Sequence, residues 1–555
     1  MSMAMGDALL AFVPARAKRL PRRRHDYVLA RARMERAGAL TALYLKGSPY
    51  EMGYQHGALA RGLIQRFRAE AYEYVATLVP VPRALAKPVL FYYASAYWKT
   101  LGADHVEELR GIAHGAGAHP VEPLVATAVW EMLLTHGCSE FAGLGPVTAD
   151  DSLLHGYNYD LMLPEHAIIQ PYLAAIFYEP DEGIPFATVN TVGTVGANAG
   201  INAEGISVAW DNTHLSTNEL FQGIGGPIVP FIVTLRRLLQ YARTIDDAVR
   251  IVVETLPRPL ADIIIIGSAK EERAVALETA GRVHAVRPMQ DGAIWSTNSF
   301  RSDTLAPRDH LGDWRSMTTN ELWEKFPRYA AYDELYRAYA GKMDAHAAAA
   351  MLRDPWPREA EGYFHRNPAP RATITRNVTS FSMIMEPGKK RLWVSDAVIP
   401  GCHGRFFAFD LGLMKRLPDL DLGPSGFQEA LRCADCFLKN DREPSRVWLD
   451  RAIGIVGETA PLLLMRALLG GLSGDETGAR HDAERVAATW KDSPHARLAA
   501  SWMGSALPDA KIAIPFPGAT NPYLLLVHGA DWKGRAVINT SESVVRIPER
   551  YLLPE

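Results

Sequence analysis

The sequence predicts an α+β fold of stacked sheets covered by helices, and two changes of pattern carry that expectation. Helical periodicity runs from Tyr50 to Leu134, with Met52, His56, Leu59 and Leu63 near one face. After Cys138 the pattern turns to short strand-like runs broken by a few helices, and near Gly404 it turns helical again. Many strands in two groups, with few helices between, fit sheets packed face to face under helical layers.

Residues 1–38 read as a basic, Ala/Arg-rich leader, helical in part, and its Arg22-Arg23-Arg24 cluster reads as a solvated face. Thr41–Lys46 reads as a strand ending at the Gly47-Ser48-Pro49 turn. Helices are expected over Tyr50–Phe67, Ala69–Leu78, Pro88–Leu101, His105–Gly115 and Pro120–Leu134, with a break at Pro80-Val81-Pro82. Strands are expected over Ser152–Asp160, Ala174–Tyr178, Phe186–Val192, Gly205–Asn212, Asp262–Gly267, Arg273–Glu278, Val283–Arg287, Ala293–Asn298, Ser380–Glu386 and Leu392–Val394. Helices Pro230–Tyr241, Ile245–Glu254, Tyr329–Tyr339 and His346–Leu352 fall among them. Beyond Gly404, helices are expected over Phe427–Phe437, Arg446–Leu472 and His481–Gly504. Strands then follow over Lys511–Ile514, Leu524–His528 and Ala536–Ile547.

Composition narrows the function classes. The 555 residues are 48% hydrophobic and 22% charged, with a formal net charge of −3. That balance argues against a nucleic-acid or membrane-surface footprint. Four cysteines are too few for a disulfide scaffold and suit a reducing, cytoplasmic setting. No run reaches about 18 apolar residues, so no membrane span is expected. The apolar run Ala8–Val13 is short and precedes the basic cluster, the reverse of a secretory signal. No cofactor or metal is expected. Cys433-x-x-Cys436 has only the adjacent Cys402-His403 as a second pair, which is poor zinc spacing. Gly223-x-Gly225-Gly226 lacks the lysine of a phosphate loop, and neither a His-Glu-x-x-His helix nor a Gly-x-Ser-x-Gly elbow occurs.

Gly137-Cys138-Ser139 carries the chemistry. The Cys138 thiol can attack the Gly137 carbonyl through a five-membered ring, and glycine leaves that carbonyl open. Hydrolysis of the resulting thioester frees an α-amine on Cys138, whose pKa of roughly 7.7–8.0 lets it act as base for its own thiol.

Motifs in order along the chain support that reading. Gly47-Ser48-Pro49-Tyr50-Glu51-Met52-Gly53-Tyr54-Gln55-His56-Gly57 is followed by Glu107-Glu108-Leu109-Arg110-Gly111-Ile112-Ala113, then by Gly137-Cys138 and Gly156-Tyr157-Asn158-Tyr159-Asp160. Gly200-Ile201-Asn202-Ala203-Glu204-Gly205 leads to Asn212, and Glu278, Thr297-Asn298 and Thr375-Arg376 follow. Over roughly residues 40–400 the chain resembles the acyl-coenzyme A:6-aminopenicillanic acid acyltransferase-like cysteine hydrolases of the N-terminal nucleophile superfamily. The resemblance implies a four-layer αββα sandwich. It implies Cys138 as nucleophile, Asn298 as an oxyanion donor and Asp160 as the group that orients the Cys138 amine. Arg376 would neutralise charge near Asp160 or a substrate carboxylate, and Asn212 would add a polar contact. In the wider superfamily an arginine often stands where this chain has Tyr157, which puts a bile-salt-amidase substrate geometry in doubt.

The resemblance organises the chain into the leader 1–38, a mainly helical propeptide segment 39–137, a catalytic core 138–404 and a C-terminal extension 405–555 of unassigned role. The expected function is an autoproteolytic amidohydrolase or acyltransferase, a zymogen cut between Gly137 and Cys138 into pieces that stay associated. Its expected substrate is a small-molecule acyl amide or acyl thioester. A lipid amidase or phospholipase-like hydrolase on the same scaffold, and a non-catalytic binding or scaffold protein, are the alternatives. Acyl donor, acceptor and oligomeric state are not legible.

Overall fold

The computed structural model describes residues 22–503, apart from 79–81, 129–137, 162–167, 214–227, 309–320, 355–357, 360–370, 373, 375–378, 397–399 and scattered positions between 427 and 502. The strands expected beyond residue 504 and most of the expected leader lie outside the described residues.

In chain order the strands are β1 (Arg33–Ala37), β2 (Leu40–Gly47), β3 (Ser139–Gly145), β4 (Asp151–Asp160), β5 (Leu173–Pro180), β6 (Phe186–Thr191), β7 (Ala199–Asn202), β8 (Ile206–Thr213), β9 (Arg258–Ser268), β10 (Arg273–Gly281), β11 (Val283–Pro288) and β12 (Ala293–Ser296). The two-residue β13 (Arg358–Glu359) and β14 (Arg371–Ala372) pair with each other. Then come β15 (Thr379–Glu386), β16 (Arg391–Ser395), β17 (Phe406–Asp410) and β18 (Lys415–Arg416). Among the described residues the first sheet has the order β1-β2-β5-β6-β7-β8-β9-β10-β11 and the second β12-β3-β4-β15-β16-β17-β18. Neighbours are antiparallel except β2 and β5, which run parallel from Thr41↔Ala174 to Gly47↔Pro180.

The helices are α1 (Arg22–Leu29), α2 (Pro49–Leu59), α3 (Arg61–Leu78), α4 (Arg83–Ser95), α5 (Ala103–Ala116), α6 (Val121–Ala128), α7 (Phe231–Tyr241), α8 (Ile245–Val253), α9 (Glu321–Tyr339) and α10 (Ala345–Leu352). α2, α7 and α8 cover the first sheet, and α9 and α10 cover the second. The fold is thus an α+β sandwich of two sheets between helical layers, with β3 and β4 facing β8 and β9 across its interior. A separate apolar cluster built on Leu449, Leu463, Leu464 and Val486 joins α11 (Arg442–Val456), α12 (Ala460–Leu472) and α13 (Glu476–Thr489).

β1, β3, β7, β17 and the two-residue β13, β14 and β18 are absent from the expected strands. β1 falls in the expected helical leader and turns through Gly38, at φ 57°, into β2. β3 and β17 are buried on both faces over most of their length, so their residues show no polar alternation. The expected single helix Arg446–Leu472 is two helices, split at Gly457, whose φ is 76°. The expected strand Ala293–Asn298 stops at Ser296 because Asn298 adopts φ 65°.

The motif at 47–57 starts α2 with a capping box. Ser48 Oγ accepts the Glu51 N–H, the Glu51 carboxylate accepts the Ser48 N–H, and Pro49 occupies the first turn. Its glycines let α2 cross α5 at close range: a Cβ on Gly53 would stand 2.1 Å from the Glu108 carbonyl oxygen, and one on Gly111 2.3 Å from that of Tyr50. α5 is fixed to the sandwich by a fully buried pair, Arg236 Nη2 to Glu108 Oε2 at 3.1 Å, with the guanidinium 4.2 and 4.1 Å from the centroids of the stacked Tyr178 and Phe186 rings.

Candidate active site

Cys138 immediately precedes β3, and its side chain is fully buried between the sheets. Alternation along β3 sends Cys138 and Glu140 inward and Ser139 outward, where Ser139 Oγ accepts the Tyr332 hydroxyl of α9 at 3.0 Å. On the neighbouring strand β4, His155, Tyr157 and Tyr159 face the same interior, whereas Asn158 points out and bonds Leu352 and Ser382. The Tyr157 hydroxyl donates to Cys138 Sγ at 3.5 Å, and the Asp160 backbone N–H faces the same sulfur. Burial pushes the thiol pKa well above its ordinary value, and the Asp160 charge pushes it the same way. In the uncut chain the thiol is therefore protonated at neutral pH. The Asp160 carboxylate accepts the Thr379 hydroxyl at 2.7 Å, across the β4–β15 pair.

Asn298 follows β12 in the left-handed region, which asparagine tolerates better than most residues. Three contacts hold it there. Its N–H donates to Asp211 Oδ2 at 3.0 Å, its Nδ2 to the Asn212 carbonyl at 2.6 Å, and its Oδ1 accepts Arg328 Nη2 at 2.7 Å. Glu278 fixes the segment that follows: its carboxylate accepts the backbone N–H groups of Arg301 and Ser302 and the Ser302 hydroxyl.

Arg328 joins the two halves of the site. Its Nη1 donates to the Cys138 carbonyl at 2.7 Å while its Nη2 donates to Asn298 Oδ1, so one buried guanidinium spans Cys138 and Asn298. Sequence reading missed it because the expected helix begins at Tyr329, whereas α9 begins at Glu321 and includes it. The signal was a charged residue at 328 on the stripe of Tyr332 and Tyr336, where an apolar residue is the rule.

Of the expected site residues, Cys138, Asp160 and Asn298 meet at the ends of β3, β4 and β12. Asn212 reaches Asn298 with its backbone carbonyl, and its buried Oδ1 has no hydrogen-bond partner among the described residues. The adjacent Asp211, which sequence reading did not single out, is the side chain that holds Asn298. Arg376 and Gly137 lie outside the described residues. Deeper in the sandwich, Glu140 Oε2 lies 3.6 Å from His155 Nε2, and His155 Nδ1 lies 3.1 Å from Ser207 Oγ. Burial drives the Glu140 carboxyl up, the Asp211 carboxyl up to about 7 and His155 down to about 3, favouring the uncharged form of each.

A family model described as acyl-coenzyme A:6-aminopenicillanic acid acyl-transferase matches residues 147–384. The match includes Tyr157, Asp160, Asn298 and Arg328, and begins just after Cys138. An uncharacterized protein of Archaeoglobus fulgidus is 29% identical over 282 residues, 44% of this chain and 45% of that protein. Protein dcd1B of Dictyostelium discoideum is 26% identical over 259 residues, 43% of this chain and 50% of its own. The chain thus spans about half the length of the curated relatives it matches. Among solved structures, an N-acylethanolamine-hydrolyzing acid amidase ortholog of Caenorhabditis elegans aligns at 15% identity and TM-score 0.31, over 45% of this chain and 93% of that one. A mutant conjugated bile acid hydrolase of Clostridium perfringens aligns at 14% identity and TM-score 0.33, over 50% and 93%. No residue role is transferred from either. No helix among the described residues is long and apolar enough to cross a membrane.

Proposed function

We propose that this chain, whose residues 147–384 carry the acyltransferase-family pattern, is an amidohydrolase or acyltransferase activated by cleavage between Gly137 and Cys138. One observation supports it most: Arg328 ties the Cys138 carbonyl to the Asn298 side chain, beside a thiol met by Tyr157 and the Asp160 N–H.

In the first step Cys138 Sγ bonds to the Gly137 carbonyl carbon, the C–N bond breaks, and the thiol proton ends on the departing Cys138 nitrogen. Water then hydrolyses the thioester and leaves a free α-amine. In turnover that amine takes the thiol proton, and Sγ attacks the acyl carbon of an amide or thioester. The oxyanion forms against Asn298 Nδ2–H. The amine then protonates the leaving group, and water or an acceptor amine resolves the acyl-enzyme. The Asp160 carboxylate orients the ammonium form of the new terminus, and Arg376 pairs with Asp160 or a substrate carboxylate.

Intact-mass spectrometry with N-terminal sequencing tests the reading. The wild type gives two pieces of 137 and 418 residues, the larger starting Cys-Ser-Glu-Phe, and Cys138→Ala gives one uncut chain. Two pieces from Cys138→Ala, or an uncut wild type, would overturn self-cleavage.

A further inference from the structure

We infer that Tyr157 is a catalytic residue: its hydroxyl donates a hydrogen bond to the Cys138 sulfur as the thiol gives up its proton, and retains its own proton throughout. The inference rests on the proposed nucleophilic role of Cys138.

The pleat of β4 fixes the direction of this side chain. Tyr157 and Tyr159 point into the sandwich and Asn158 away from it, so the phenol cannot leave the thiol without reversing the strand register. The ring is packed on two sides, with its centroid 6.1 Å from Tyr159 and 5.7 Å, edge-on, from Phe381. Both Tyr157 and Cys138 are fully buried, so bulk water is excluded from the sulfur. A thiolate formed there needs protein donors in place of water.

The charges facing the sulfur oppose that anion. Asp160 on β4 and Asp211 on β8 both raise the thiol pKa, while the Tyr157 hydroxyl and the Asp160 N–H lower it. Arg328 on α9 spends two of its donors on the Cys138 carbonyl and on Asn298. Among the described residues, the Tyr157 phenol donates a side-chain hydrogen bond to the sulfur. A phenol, with an ordinary pKa near 10 against about 8.5 for a thiol, holds its proton while the sulfur loses its own. Position 157 is also where the wider superfamily often has an arginine. In this chain a neutral donor stands at the sulfur.

The test is the pH dependence of Cys138 alkylation by iodoacetamide, mapped by peptide mass spectrometry, in wild type, Tyr157→Phe and Tyr157→His. Phenylalanine preserves the ring packing and removes only the hydroxyl, and thermal unfolding checks that the fold is kept. The expected result is an upward shift of about one pH unit in the Tyr157→Phe midpoint, a roughly tenfold loss of thiolate at neutral pH. Cleavage after Gly137 should slow by about the same factor, and histidine, a smaller ring with a donor, should recover part of both. A residue needed only for packing would give the opposite order, with phenylalanine harmless and histidine damaging. That order, an unchanged midpoint in Tyr157→Phe, or a wild-type thiol inert to iodoacetamide would overturn the inference. A shifted midpoint in a wild type that never cuts itself would overturn self-cleavage and leave the action of Tyr157 on the sulfur standing.

Discussion

Asn298 shows how much of the site depends on a single conformation. A left-handed residue whose N–H, Nδ2 and Oδ1 are all engaged has one orientation available, so its remaining amide hydrogen is fixed before substrate arrives. Fixed donors of this kind are worth about 2.7–4 kcal/mol of barrier. Asn298→Ala should therefore lower kcat by a factor on the order of hundreds in a protein that still folds, with a lowered thermal midpoint because the buried Arg328 Nη2 loses this acceptor; unchanged turnover would remove Asn298 from the site. Asp211 carries the pH dependence. Burial raises its carboxyl pKa to about 7 in the fold, against about 3.9 unfolded. Its contribution to stability is thus full below about pH 4 and is lost as pH rises through about 7. Asp211→Asn keeps an acceptor for the Asn298 N–H without that titration. The variant should gain on the wild type in unfolding free energy as pH rises from about 4 to about 7, and a gap that stays constant with pH would argue against the buried charge. Residue reading singled out Cys138, Asp160 and Asn298 because each sits in a motif, but not Arg328 or Asp211. Their roles come from distant partners, Asn298 and Cys138, that local sequence does not reveal.

At the scale of elements, the motif glycines at 53, 57 and 111, with Gly115 just beyond them, turn out to be packing residues. They bring the α2 and α5 backbones together where any side chain would collide with a carbonyl. Gly111→Ala should cost about 3 kcal/mol or more, since neither helix can give way without moving β2 or the buried Arg236–Glu108 pair. Urea unfolding measures this directly, and a loss under about 1 kcal/mol would mean that the crossing is softer than its geometry. The same scale sets what was legible. α7 and α8 show clear amphipathic spacing and lie within a residue of their expected bounds. The exposed hairpin strand β11 alternates and was found. β3, whose first five residues are buried on both sides, carries no such signal, although it follows the nucleophile directly. In a sandwich interior, the strands nearest the chemistry are the ones whose pattern burial erases.

For the molecule as a whole, the described part of the segment before Cys138 is structural. β2 is an interior strand of the first sheet, paired along its length with β5; α2 is buried against that sheet and α5 against α2. After the proposed cleavage, the pieces should co-elute in size-exclusion chromatography and separate only in denaturant; loss of the smaller piece under native conditions would contradict this pairing. The parallel β2–β5 ladder, joined across that bond, then has a consequence for how the protein comes apart. An intact chain unfolds as one body, at a midpoint that dilution does not move. The cut protein unfolds by dissociation, so its midpoint falls as it is diluted, and two strangers must find each other to rebuild the sheet. A tether present during folding and absent afterwards makes maturation a one-way passage: assembled once as neighbours along a single thread, the halves persist by the slowness of their parting.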